Sequence, residues 1–271
     1  MNGIHNPLWL AAAAGRTQEV LGLIEQGAYV DAHEDAIDAA PTPLWAAFNN
    51  KRLDTARVLI EAGADIESIG PGGTTPVLFF SNTSRIVQML IEAGADMYAK
   101  DIDGNTLVHH AARFDAQETI LKLFTSGVNL AQRNNNGNTA LHAAAANDKA
   151  DMILTLVDLH VDINVTNNLG STPLYAAAKF GNISAVGTLL YRGATINVNN
   201  ARGMTAMQGA HKNKHSFVVD MIKRENVRRE RLLQPRLLAF AMGGHERLGQ
   251  ESLVDSMDPD VARLVLGFTG V

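Results

Sequence analysis

Thr139-Ala140-Leu141-His142-Ala143-Ala144, with Asn136-Gly137-Asn138 ahead of it and Leu156-Val157 and His160 behind it, is one copy of a pattern that recurs along the chain. The matching openings are Asn6-Pro7-Leu8-Trp9, Thr42-Pro43-Leu44-Trp45, Thr75-Pro76-Val77-Leu78, Thr106-Leu107-Val108-His109, Thr172-Pro173-Leu174-Tyr175 and Thr205-Ala206-Met207-Gln208. Successive openings are separated by 36, 33, 31, 33, 33 and 33 residues. A period in this range marks an array of supersecondary units, none of which buries its own apolar face. A second phase keeps the same register: Leu23-Ile24 before Gly27, Leu59-Ile60 before Gly63, Leu90-Ile91 before Gly94, Leu123-Phe124 before Gly127, and Leu189-Leu190 before Gly193.

Each mark has a physical reading. Thr followed by Pro is an N-cap followed by the first helical position, where a missing N–H costs nothing and φ is already helical. The Ala pairs that follow (Ala111-Ala112, Ala143-Ala144, Ala176-Ala177) favour helix and allow neighbouring helices to approach closely. A second helix carries an apolar stripe such as Val20, Leu23 and Ile24, and stops at a glycine suited to a left-handed C-terminal conformation. A short hairpin finger, with turns such as Asp103-Gly104-Asn105 and Leu169-Gly170-Ser171, leads into the next unit. The expected fold class is therefore all-α, a solenoid of helix-turn-helix units joined by fingers.

These residues resemble the ankyrin repeat, whose signature Thr-Pro-Leu-His-x-Ala-Ala is followed by a Leu-Leu-x-x-Gly-Ala-Asp-x-Asn end. The resemblance runs from about Pro7 to Glu225, over seven units. It implies an ankyrin-repeat solenoid with short β-hairpin fingers and with inner helices lining a concave surface. Departures are local. The first finger, Asp31 to Pro41, carries the three extra residues of the 36 step; the third unit is two residues short around Ser81-Asn82-Thr83-Ser84; His160 stands where the other units have Gly. The domain expectation is an array over residues 1–226 and a helical segment over 227–271.

In that second segment Arg228 to Met242 reads as a helix interrupted near Pro235 and ended by Gly243-Gly244. Asp258-Pro259 starts a further helix with Val261, Leu264, Val265 and Phe268 on one face. Two readings stand: a cap over the last repeat, since terminal repeats need a cover, or a docking module. Met257-Asp258-Pro259-Asp260-Val261 with Leu264, Val265 and Leu266 is similar to the opening of a truncated F-box, with Asp258 in place of its Leu. That similarity implies a ubiquitin-ligase substrate adaptor as the alternative function.

Composition narrows the chemistry. The 271 residues include no cysteine, which excludes disulfides, thiolate metal sites and a cysteine nucleophile. Net charge is −5, from 23 Lys and Arg against 28 Asp and Glu, and this argues against a general nucleic-acid binder. No stretch approaches the roughly 18 apolar residues of a membrane span, and Met1 to Pro7 lacks the features of a secretory signal. The expected compartment is the cytoplasm, with the nucleus as second choice. A basic stretch, Lys212 to Arg236, holds eight cations against three acids; it reads as a solvated helix face or as a contact for an acidic partner.

No catalytic residue, cofactor, metal or small-molecule substrate is expected. His109 and His142 fall at the fourth position of the repeat opening, where the family's His bonds its own turn and the neighbouring loop. His211 and His215 have the spacing of a zinc pair, but register puts His215 in the turn between two helices. In the tail, His245, Glu246 and Asp255 are the only reactive materials, and no spacing joins them. Recognition of a protein partner, acidic or extended, is the expected function. In ankyrin repeats the framework is fixed, and the finger tips and the residues after the Ala-Ala core do the recognising. Carried over by register, the partner-binding candidates are Ile102, Leu169 and Arg202 on fingers, and Arg113, Phe114, Asn147, Lys179, Phe180 and Lys212 on inner helices. Phe114 and Phe180 share a slot two units apart, each after a cation; they are either exposed anchors or rings tucked against their own fingers.

Overall fold

The structure, a computed structural model, describes residues 6–32 and 42–245, with side chains described through residue 233. The chain divides into two compact units, residues 1–219 and 220–271.

Among the described residues there are fourteen α-helices, and the first twelve form six antiparallel pairs. The inner helices are α1 (Pro7–Ala14), α3 (Pro43–Asn49), α5 (Pro76–Phe79), α7 (Leu107–Arg113), α9 (Ala140–Ala146), α11 (Pro173–Phe180) and α13 (Ala206–Lys212). The outer helices are α2 (Thr17–Glu25), α4 (Leu53–Glu61), α6 (Ser84–Glu92), α8 (Gln117–Thr125), α10 (Ala150–Asp158), α12 (Ile183–Tyr191) and α14 (Ser216–His245). The caps follow the residues. Thr42 and Thr172 hydroxyls accept the N–H groups of Trp45 (3.4 Å) and Tyr175 (3.2 Å), and Asn6 does the same for Leu8 at 2.8 Å.

The first unit's core is a continuous strip. Ala11, Ala12, Ala47, Ala111, Ala112, Ala144, Ala145, Ala177 and Ala178 are all fully buried, so inner helices meet without spacer side chains. Accordingly α1 packs on α3, α7 on α9, α9 on α11 and α11 on α13. The outer helices bury one stripe each, among them Val20, Leu59, Leu90, Leu123, Leu156 and Leu189. Burying one Leu contributes about 1.5–3 kcal/mol, and every such residue is covered only when neighbouring units stack.

Three findings differ from, or sharpen, the sequence reading. The fingers are tight turns with no assigned strand among the described residues. Those leading into the third to seventh units each close on two backbone bonds, such as Asn134 N–H to Asn138 O at 3.0 Å and Gly137 N–H to Asn134 O at 2.8 Å, because a finger this short has no room for a ladder. In the third unit the missing two residues cut α5 to four residues, and the Thr75 hydroxyl makes no cap bond. Finally, α14 starts in the seventh unit and runs without a break through Asn226 and Pro235, where a boundary and an interruption are expected. The position that stops the other outer helices is occupied by Asn226. Strong helix formers follow it, Arg228-Arg229-Glu230-Arg231-Leu232-Leu233, so nothing in the sequence ends the helix there.

Within the second unit, Glu225 is clamped by Arg228 (2.7 Å) and Arg229 (2.8 Å) one helical turn on. Their hydrogen bonds hold its carboxyl down to about 2. The extra residues of the first finger at 33–41, the final helix expected after Asp258 and the F-box-like residues Met257–Leu266 lie outside the described residues.

Candidate functional site

The fingers and inner helices of the fourth to seventh repeats are held by a polar lattice that repeats with the sequence. Asp101, Asn134, Asn167 and Asn200 each fold the side chain back onto their own finger: Asn134 Oδ1 accepts from Asn136 and Asn138 N–H, both at 3.0 Å. The amides of the three asparagines then reach back to the preceding finger. Asn134 Nδ2 donates to Asn105 Oδ1 (2.7 Å), and Asn167 Nδ2 to Asn138 Oδ1 (2.8 Å). At the tips Asn135 Nδ2 donates to Ile102 O and Asn168 Nδ2 to Asn135 O. This 33-residue Asn/Asp series is visible in the sequence once the register is known, and motif reading centred on the helices passes over it.

His109 and His142 knit the same lattice from below. His142 Nδ1 accepts the Thr139 N–H at 3.2 Å while Nε2 donates to Ser171 O at 2.9 Å; His109 repeats this with Thr106 and Asn138. A carbonyl on one nitrogen and an N–H on the other fix a single neutral tautomer. Burial pulls the His142 pKa down to about 4, and that of His109 downward in the same sense. These imidazoles are locked structural members with no free nitrogen for a metal or substrate. His110 pairs with Asp101 at 2.9 Å. The Asp101 carboxyl is held below its usual range: burial would raise it, but bonds from Asn105 and His110 outweigh that.

His211 lies on α13, and His215 sits in the turn before α14, its Nε2 donating to Lys179 O at 3.1 Å. Among the described residues, no group of three or more His, Asp or Glu side chains is placed to hold a metal.

Above this lattice lies a groove of about 560 Å³. Six of the nine expected partner-binding residues line it: Arg113, Asn147, Leu169, Lys179, Phe180 and Arg202. Phe114 instead lines a neighbouring hollow of about 480 Å³ with Phe79, Phe80, Lys51 and Pro71. Arg113 and His110 border both spaces. Ile102, 81% exposed, and Lys212 line neither. The hollow arises from the shortened third unit. Trimming the end of α5 leaves Phe79 partly exposed, in contact with Trp45 and Phe80 at ring-centre distances of 5.1 and 5.0 Å.

The slot shared by Phe114 and Phe180 is the most informative position. Asn50, Asn147 and Asn213 occupy it in the second, fifth and seventh units, and each amide donates to a carbonyl four residues back at 2.8 Å. Asparagine there satisfies the end of its own helix. Phenylalanine cannot, and Phe114 and Phe180 stand 49% and 55% exposed. Arg113 lies over the Phe114 ring (5.8 Å) and Lys179 over the Phe180 ring (5.3 Å). Phe180 is held in place from behind. Gly181 is left-handed (φ +73°), Asn182 Nδ2 donates to Ala145 O at 2.8 Å, and His215 caps Lys179. Among the described residues Arg113, Lys179 and Arg202 have no carboxylate within ion-pair distance. The groove lining contains three cations and no Asp or Glu.

Stacked helix pairs, cross-linked fingers and an open groove define a repeat solenoid built for contact with other molecules. A family model described as "Ankyrin repeats (3 copies)" matches residues 77–167 and 148–229, more than half of the chain, and the chain belongs to the ankyrin-repeat family. Ankyrin repeats indicate a protein–protein interaction scaffold. The chain is 43% identical over 67 residues to "Palmitoyltransferase AKR1" of Yarrowia lipolytica, covering 24% of this chain and 9% of that protein. It is 30% identical over 97 residues to "Ankyrin repeat-containing protein P1E11.10" of Schizosaccharomyces pombe, covering 36% and 45%. A third likeness, 34% over 73 residues, is to "Ankyrin repeat domain-containing protein M-T5" of Myxoma virus, covering 23% of this chain and 15% of that one. The chain thus spans less than half the length of these relatives. The crystal structure of the ankyrin repeat domain of Bcl-3 superposes with a TM-score of 0.64 at 24% identity, covering 82% of this chain and all of that one; it shows the fold. No helix among the described residues is long and apolar enough to cross a membrane.

Proposed function

We propose that the chain is a non-enzymatic scaffold that holds a protein partner, in the cytoplasm or nucleus, on the face formed by the fingers and inner helices of its fourth to seventh repeats. The observation that carries this reading is the exchange of asparagine for exposed phenylalanine at residues 114 and 180. Three units use the slot to finish a helix, whereas these two give up that bond and present an aromatic ring beside a cation. Rigid aromatics next to Arg or Lys have the composition of binding hot spots. Arg113, Lys179 and Arg202 favour an acidic partner segment. Ile102 and Lys212, outside both hollows, would touch only a partner that overhangs the groove.

The test uses the array's own alternative residue. In the double variant Phe114→Asn with Phe180→Asn, the full chain should keep its thermal midpoint while affinity for a captured, identified partner falls about 30-fold or more, the loss that even one hot spot of ~2 kcal/mol requires. Unchanged affinity rejects the site. The adaptor alternative rests on the sequence of Met257–Leu266 alone. Deleting residues 250–271 should remove co-purifying ligase components if it holds, and should leave partner binding intact if the groove is the working surface.

A further inference from the structure

The two hollows have the same character. Each offers an exposed aromatic floor, Phe79 and Phe114 in one and Phe180 with Leu169 in the other. Each is bordered by cations, Lys51 and Arg113 in one and Arg113, Lys179 and Arg202 in the other, and neither lining contains a carboxylate. Arg113 belongs to both, on the ridge between them. Such a surface suits one strand crossing both spaces and bearing two apolar anchors with carboxylates between.

We propose that the partner segment is an extended acidic peptide that seats one bulky apolar side chain on Phe79 and Phe114 and a second on Phe180 and Leu169, with a carboxylate at Arg113 between them. This rests on the reading that the groove is the working surface, and it adds the chemistry and spacing of the ligand. The spacing follows from the array. Phe114 and Phe180 occupy equivalent positions in the repeat at the C-terminal ends of α7 and α11, with α9 between. Packed helices lie about 8–10 Å apart, so the anchors are separated by about 16–20 Å. An extended chain advances about 3.3 Å per residue, which places the second bulky residue about five or six positions after the first. An α-helical ligand, at about 1.5 Å per residue, would need about eleven to thirteen residues between the same anchors, so the spacing in an enriched peptide tells the two conformations apart.

The experiment is selection of random linear 12-residue peptides, displayed singly, on the intact chain, followed by fluorescence anisotropy with synthetic copies of the enriched sequences. The expected motif has two aromatic or large aliphatic residues five or six positions apart, with at least one Asp or Glu between. Affinity should fall at least tenfold in Phe114→Asn and, independently, in Phe180→Asn. Arg113→Glu should weaken the acidic peptide at least tenfold and be rescued by a peptide carrying Lys in place of the central carboxylate. This charge swap keeps the test decisive if an aromatic variant loses stability. Enriched peptides that depend on Phe180 but show one anchor, another spacing or no acidic residue would overturn the inference and leave the groove reading standing. Peptides indifferent to all three substitutions would overturn both. Recovery of no enriched linear peptide would overturn the inference alone, since a folded partner would still satisfy the broader reading.

Discussion

At the scale of single residues, the array's framework depends on groups whose protonation and backbone angles are set by neighbours. His142 is nearly fully buried and neutral, with its pKa pulled to about 4. In an unfolded chain the same group titrates near 6.5. Between those values the unfolded state binds more protons, so the His142 contribution is fully present above about pH 6.5 and is lost as pH falls toward 4. A gap of that size corresponds to as much as ~3 kcal/mol, and His109 acts in the same direction. Urea unfolding at pH 7.5 and 4.5 should show the loss, and His142→Gln should reduce it, because Gln208 performs the same cap in the seventh unit with Thr205 N–H at 2.8 Å. An unaltered pH dependence in that variant would contradict the assignment. His160 gives a prediction of opposite sign. It sits at φ +63° where five other units place Gly, so His160→Gly should raise stability by up to ~1 kcal/mol, read as an increased urea midpoint.

Individual elements show which parts of the molecule are written in the repeat and which are set by its exceptions. Most of the helices could be placed from the Thr and Asn openings and the apolar stripes, because cap, pattern and stop signal agree in most units. The exceptions needed the structure. The continuation of α14 past Asn226 could not be read from the repeat: a helix stops when a better alternative exists, and Asn226 followed by strong helix formers supplies none. The aromatic hollow beside α5 was equally hidden. A two-residue deletion is obvious in the register, but which rings it uncovers depends on how Phe79 packs on Trp45 and Phe80. The groove itself was legible in part. Register collected Arg113, Asn147, Leu169, Lys179, Phe180 and Arg202, but it also admitted Ile102 and Lys212, whose side chains line neither space. Register assigns a residue to a face and not to a cavity. The junction of α11 with the seventh unit offers a test at this scale. A Cβ on Gly181 would lie 2.5 Å from His215 Nδ1, at a left-handed φ. Gly181→Ala should therefore cost ~1–2 kcal/mol for the backbone alone, and should loosen Phe180 by displacing the His215 bond to Lys179. Weaker partner binding together with a lowered melting temperature is the expected result. A variant with wild-type stability and affinity would show that this bond does not position Phe180.

For the molecule as a whole, the array is a framework in which each unit is completed by its neighbours. Fully buried alanines let the inner helices touch, and asparagine amides bond finger to finger. Stability is then a sum of unit and interface contributions. A core truncation such as Leu141→Ala, fully buried on α9, should cost ~2–5 kcal/mol and split unfolding into more than one transition, visible as non-coincident fluorescence and circular-dichroism curves in urea. A single, merely shifted transition would mean that the array responds as one block. That rigidity is what leaves Phe114, Phe180 and their flanking cations at fixed spacing for a partner to read. The claim that this face is the working surface can be tested by hydrogen–deuterium exchange of the intact chain with and without its captured partner. Protection should concentrate on the C-terminal ends of α7, α9 and α11 and on the finger residues 101–105, 134–138, 167–171 and 200–204. Protection confined to the outer helices α8, α10 and α12, or to α14, would contradict it.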